Sequence, residues 1–210
     1  MTKNNLPILP VDVLAASMKT GYINQSERTF KHYDVFIDGE IGEPSTYRDL
    51  IALLFNANEE DSILIFFNSG GGHLDTAVAI VEGLKTTDAH ATAVILGACH
   101  SAASIIAMYC HDVIVTDSAY SMVHTASFGS SGNTGNVKAH TEFTVKQVEK
   151  LLNDTYEGFL TKEELLKVKS GVELWFDADE IRTRVKSRAK FLEAKRKKEK
   201  KAKGDTNEAN

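Results

Sequence analysis

The residues best placed to do chemistry sit in a run of small ones. Gly97-Ala98-Cys99-His100-Ser101-Ala102-Ala103-Ser104 reads as a turn leading from an apolar strand into an apolar helix. A serine at a helix start has two readings. It can be an N-cap, its oxygen accepting a backbone N–H of the first turn. It can also be a nucleophile, because the helix N-terminus and the next backbone N–H favour negative charge as it develops. A hydroxyl is a weak nucleophile and needs a base within hydrogen-bond reach. His124, directly after Ser121-Met122-Val123, is the candidate base. Together the two would carry out acyl transfer through a covalent intermediate.

A second turn, Asn68-Ser69-Gly70-Gly71-Gly72, also joins an apolar run to a helical pattern. Its backbone N–H groups could face an anion or the negative oxygen of an acyl-transfer intermediate. It could equally be a tight turn and nothing more. It lacks the Lys-Ser/Thr of a phosphate loop and the G-x-G-x-x-G spacing of a dinucleotide site. His100 precedes Ser101 and is expected to point away from it, and Ser104 to pack against its own helix. His73, His111 and His140 lack a ligand spacing such as H-E-x-x-H, so neither metal nor cofactor is expected. Cys99 and Cys110, eleven residues apart in an apolar stretch, suit buried free thiols better than a disulfide framework or a zinc site.

Positioning these groups takes alternating strands and helices. Val35–Ile37, Ile63–Phe67, Ala91–Leu96, Val113–Val115 and Met122–Val123 read as strands, with Ile63–Phe67 apolar enough to be buried on both faces. Helices are expected from a Ser45 N-cap through Leu54, over Leu74–Leu84 and over Ser101–Tyr109, with Gly97 as a turn. Uniformly apolar strands alternating with helices imply parallel pairing through right-handed crossovers, an α/β fold. After the Gly/Ser/Asn-rich stretch Phe128–Gly135, Asn136–Leu160 reads as one long helix and Lys162–Lys169 as a short one, with Trp175 beyond them as a core anchor. Past Asp177 the chain turns helical and basic, and the Lys195–Lys201 run, having no apolar face, is expected to fray. The reading divides the chain into an arm (1–28, with a short helical pattern at Val11–Met18), a domain (29–181) and a flexible basic tail (182–210).

Charge follows that division. Residues 182–210 carry 12 Lys/Arg against 4 Asp/Glu, whereas 1–181 carry 12 against 25. An acidic body argues against a nucleic-acid-binding core; only the tail could touch nucleic acid or an acidic partner. No apolar run approaches the roughly 18 residues of a membrane span. No charged start with an apolar block and a cleavage site opens the chain, so a soluble, cytoplasmic protein is expected.

Three motifs in register carry a resemblance. Phe67-Asn68-Ser69-Gly70-Gly71-Gly72, then Gly97-Ala98-Cys99-His100-Ser101 opening an apolar helix, then Met122-Val123-His124 resemble the Clp protease proteolytic subunit family, over about Val35 to Ile181. The resemblance implies a ClpP/crotonase-type repeated β-β-α superhelix with a long handle helix, which Asn136–Leu160 would supply. It implies a serine endopeptidase acting on protein or peptide substrates. Ser101 would be the nucleophile, His124 the general base, and the backbone N–H groups of Gly71 and Ala102 the oxyanion donors. Gly70 stands where the family usually has proline. For the third member, the pattern before Ala178-Asp179-Glu180 puts Glu173 in the place of the usual aspartate, with Asp177 as the competing candidate. The resemblance also implies a homo-oligomer, one heptameric ring or two, and an AAA+ ATPase docked on a pocket where Leu64 and Phe66 replace the usual tyrosines. The unusual arm and basic tail would suit a phage-encoded relative acting in head maturation. A crotonase-type acyl-CoA enzyme and a catalytically silent ring subunit are the alternatives.

Overall fold

A computed structural model describes residues 30–207, with side chains to Lys200. The expected N-terminal arm and its helical pattern lie outside the described residues. The six strands are β1 (His32–Ile37), β2 (Ser62–Ser69), β3 (His90–His100), β4 (Asp112–Val115), β5 (Tyr120–Val123) and β6 (Leu174–Asp177). The helices are α1 (Arg48–Asn56), α2 (Leu74–Thr86), α3 (Ala102–Tyr109), α4 (Thr134–Tyr156), α5 (Lys162–Lys169) and α6 (Ala178–Asn207). One sheet runs β1–β2–β3–β5–β6, and β4 pairs with β3 off that path. Every pairing is parallel except β5 with β6. The α/β architecture expected from the alternating pattern is the one observed.

The long strand β3 builds the site. Its first half pairs with β4 (Thr92 to Ile95 beside Asp112 to Val115) and its second half with β5 (Ala98 to His100 beside Tyr120 to Met122). Gly97 is therefore not a turn, as the sequence suggests, but a point inside the strand. Its role is space: a Cβ there would lie 2.6 Å from Asn68 Oδ1, and that oxygen accepts the Ala98 N–H at 3.1 Å. Asn68 thus bridges the register shift between Phe67 and Ser69, after which Ser69 pairs with Cys99, two residues before Ser101.

Burial on β2 alternates. Ile63, Ile65 and Phe67 are at 0% exposure, while Leu64 and Phe66 are only half-buried. The expectation of burial on both faces is corrected: one face takes the helices, and the other carries an apolar row, Phe36–Phe66–Val94–Ile114, across four strands. Phe36 and Phe66 stack at 4.8 Å on that face, and Phe36 and Ile114 stay 61% and 53% exposed.

Four further differences have local causes. Ser45 lies inside a 3-10 turn, Pro44–Tyr47, rather than capping α1; a proline at a first helical position starts the turn early. The long helix starts earlier than expected, because Asn133 Oδ1 accepts the Asn136 N–H at 2.9 Å as its N-cap, and it ends sooner, at Tyr156. β6 forms at Leu174–Asp177, where the sequence pattern carries no strand signal. Finally, α6 runs unbroken past residue 182, where a flexible tail was expected, and as a helix to Asn207. Side chains tie it down as far as Lys195: Arg182 to Val115 O (3.0 Å), Arg188 to Thr155 O (3.0 Å) and Lys195 to Glu157 (2.6 Å).

Candidate active site

Ser101 is the residue between β3 and α3, and it is the one non-glycine residue with positive φ among those described (φ 53°, ψ −123°). Such backbone costs on the order of 1–3 kcal/mol and persists only where surroundings hold it. Here three bonds hold it. The Ser101 N–H donates to Met122 O on β5 (2.8 Å), and Ser101 O accepts the Ile105 N–H (3.1 Å) and the Ser104 hydroxyl (2.7 Å). The first of these also sets the reach to the base, since His124 stands two residues after Met122. His124 Nε2 lies 2.7 Å from Ser101 Oγ, and both side chains are half-buried. With the proton on Nδ1, Nε2 accepts the serine hydroxyl and can take its proton. Ser101 makes no side-chain cap bond to α3, so its hydroxyl is spent on the imidazole and not on the helix.

The glycine turn closes over this serine. Gly71 has φ 92°, and a Cβ there would lie 2.8 Å from Ser101 Cβ and 3.1 Å from Ala102 N, so only glycine fits. The Gly71 N–H itself is taken: it donates to Ser69 Oγ at 3.1 Å, and Ser69 in turn donates to Gly39 O at 2.5 Å. The neighbouring Gly72 N–H has no partner among the described residues, and Gly72 lines the same cleft as Ser101, Ala102 and His124. Of these two amides, the one that the resemblance implies as a donor, Gly71, is the one bonded to Ser69. What separates them is the buried Ser69 hydroxyl, a contact that no spacing reveals. Ala102 is the first residue of α3, so its N–H has no partner inside the helix.

Those groups open on a cleft of about 900 Å³. Ile41, Leu74, Met122, Ala126, Phe128 and Val148 give it apolar walls, and Glu40, Glu43 and Asp75 give it negative charge. His73 Nε2 lies 3.3 Å from Glu43 Oε1 at its mouth.

Neither candidate acid bonds His124. β5 and β6 pair antiparallel with Val123 opposite Leu174 and Tyr120 opposite Asp177. Continuing by one step sets Glu173 across from His124. Asp177 stands four strand residues away, roughly 13 Å at ~3.4 Å per residue. Its carboxylate is also occupied, since Asp177 Oδ1 accepts the Glu180 N–H at 2.9 Å as the cap of α6. Glu173 is exposed, and no hydrogen bond joins it to the imidazole.

The profile of the family described as Clp protease matches residues 18–183. The chain belongs to the Clp protease family. No curated protein matches it significantly. The Clp protease match covers the whole sheet and α4, and it stops inside α6, so the most basic part of that helix is outside the family segment. Family membership makes this a ClpP-like peptidase, and the crotonase alternative loses its ground.

The remaining Clp protease-region residues fall as follows. The His100 ring packs edge-on against Tyr120 and Trp175 (5.0 and 5.1 Å), away from the serine, and desolvation holds it toward the neutral form. Trp175 is 56% exposed and is no core anchor; the core position of β6 is Phe176, at 5%. Ser104 does more than pack on its helix, bonding both Ser101 O and Tyr156. Cys99 and Cys110 are free and buried, and burial pushes the Cys110 thiol up to about 12. Among the described residues no cluster of His, Cys, Asp and Glu could hold a metal ion, and no helix is long and apolar enough to cross a membrane.

Proposed function

We propose that this Clp protease-family chain is a serine endopeptidase working through an acyl-enzyme. The observation that carries the reading is the 2.7 Å contact between Ser101 Oγ and His124 Nε2 beneath the glycine turn. Ser101 Oγ attacks the carbonyl carbon of a peptide bond while its proton passes to His124 Nε2. The carbonyl oxygen becomes an oxyanion, held by the N–H groups of Ala102 and Gly72. The C–N bond then breaks, the His124 proton goes to the departing amine, and the acyl group stays on Ser101. Water, deprotonated by His124, attacks the ester and regenerates the serine. Glu173 is the acid that orients His124 in this scheme, being the residue that the β5–β6 register, continued by one step, sets opposite it.

The assembly is a homo-oligomeric ring in the cytoplasm. Two features support it: the apolar row Phe36–Phe66–Val94–Ile114 on the open sheet face, and the exposed apolar residues Phe143 (63%) and Val145 (42%) on α4, the handle of the family. The sheet row, which includes the Phe66 position, is the docking place for an AAA+ unfoldase. A silent-subunit reading has one observation in its favour, the absence of a carboxylate on His124.

Hydrolysis of an unfolded protein and of fluorogenic peptides by the native chain and by Ser101→Ala, with the mass in solution, tests the proposal. Cleavage by a particle of seven or fourteen copies that stops in Ser101→Ala supports it. Cleavage unchanged in Ser101→Ala, or a folded native chain with none, contradicts it.

A further inference from the structure

Buried beneath the nucleophile is a chain of hydroxyls that the peptidase scheme above does not use. Ser104 Oγ lies 2.7 Å from Ser101 O and 2.6 Å from the hydroxyl of Tyr156. Ser104 is 2% exposed and Tyr156 1%, so no water competes for either group. The direction of the chain follows from counting protons. A serine hydroxyl has one, and Ser104 donates it to the Ser101 carbonyl, which cannot donate. Tyr156 must therefore donate to Ser104.

A serine bonding back along its own helix is common and by itself means little. The difference here is the second donor, which comes from the last residue of α4, 52 positions further on. Its ring is fixed from the other side, since Tyr156 packs on Phe159 (6.1 Å) and Phe159 on Phe176 (5.6 Å). The acceptor is also a particular one. A peptide unit is planar and trans, so its C=O and N–H point in opposite directions. Fixing the Ser101 carbonyl therefore aims the Ala102 N–H, which points out of the other side of the same plane. That plane adjoins Ser101, whose φ of 53° would relax if nothing held it.

We infer that Tyr156 and Ser104 are positioning residues: their hydroxyl chain, Tyr156 to Ser104 to the Ser101 carbonyl, orients the Ala102 N–H as an oxyanion donor and couples it to the end of α4. The inference rests on the reading of Ser101 as the nucleophile. Neither hydroxyl touches substrate. A shift of α4 moves Tyr156 directly and the oxyanion donor through it.

The test compares native chain, Tyr156→Phe, Ser104→Ala and the double variant. It reads kcat and KM on a fluorogenic peptide, the rate of labelling by a fluorophosphonate, and melting temperature. Tyr156→Phe keeps the ring and removes one hydroxyl. Expected are a fall in kcat and in labelling rate of about 10-fold, a fraction of what losing a whole oxyanion donor costs, with KM unchanged. The double variant should be no slower than Ser104→Ala alone, because the two hydroxyls act in series. Native kcat and labelling rate in Tyr156→Phe, even with a lowered melting temperature, would overturn the inference by leaving the pair a packing role. Additive losses would overturn it too. A native chain that takes no label, or one whose label survives Ser101→Ala, would instead break the nucleophile reading on which this one stands.

Discussion

The Ser101 N–H donates to the carbonyl of Met122 at 2.8 Å, and that bond is what brings strand β5 and the nucleophile turn together. Two residues on, the same strand delivers His124 to 2.7 Å from Ser101 Oγ. The glycine turn then caps the pair from above, and the hydroxyls of Ser104 and Tyr156 brace it from below. The nucleophile turn, the base, the glycine turn and the Tyr156 hydroxyl come from different elements, so each can be varied separately.

The glycine turn makes the sharpest contrast. A Cβ on Gly71 would sit 2.7 Å from His100 O, whereas one on Gly70 meets nothing within 4 Å. Gly71→Ala should lower kcat/KM by at least about 100-fold, the scale of a lost oxyanion donor. Gly70→Ala should stay within about twofold of native. Comparable losses in both variants, measured on one peptide, would show that the close approach of the turn to Ser101 is not what matters.

The two acids separate by readout. Glu173→Gln should lower kcat by about 10-fold or more with little change in melting temperature, since Glu173 is exposed and the β5–β6 register, continued by one step, sets it opposite His124. Asp177→Ala should cost about 1 kcal/mol of stability, the value of an N-cap, and leave kcat near native. If the effects are exchanged, the register argument from Val123 and Leu174 has chosen the wrong acid.

Stability in acid should track Glu164. Two hydrogen bonds from Arg184 (2.7 and 3.0 Å) hold its carboxyl at about 2, well below its ordinary value of 4.5. A group whose folded value is depressed contributes fully above its unfolded value and loses that contribution as pH falls toward the folded one. The native melting temperature should therefore drop between about pH 4.5 and pH 2. Glu164→Gln should start lower at pH 7, by about 2 kcal/mol, and show a shallower drop. Parallel curves for the two proteins would remove the ion pair from the account.

Charge in the cleft should set a preference among substrates. Glu40, Glu43 and Asp75 line it, and among the described residues no lysine or arginine does. Peptides carrying Lys or Arg near the cut should be hydrolysed about 10-fold faster than their Asp or Glu counterparts at low salt, and the gap should narrow as salt screens the field. Equal rates at low ionic strength would mean that these carboxylates do not face the bound chain.

How much of this was legible in the sequence differs from element to element. The strand-helix alternation was, because Ile63–Phe67 is a short continuous apolar run and Tyr47, Leu50, Ile51 and Leu54 recur at helical spacing. The adjacency of Ser101 and His124 was suggested by their places after successive strands. The free amide was not: Gly71 and Gly72 look alike in sequence, and a Ser69 hydroxyl reaching Gly39 separates them. β6 escaped notice because it is four residues long and turns Trp175 outward. The unbroken α6 escaped because its contacts are made by arginines and one lysine reaching distant carbonyls and carboxylates, which no apolar stripe announces.

The central claim is that Ser101 is a nucleophile activated by His124. Its most direct test is covalent labelling of the native assembled protein by a fluorophosphonate, with the labelled residue located by mass, alongside Ser101→Ala and His124→Ala. The account predicts one adduct per chain, on Ser101, absent from Ser101→Ala and slowed in His124→Ala by about 100-fold or more. No adduct on the native protein, or an adduct that persists in Ser101→Ala, would contradict it.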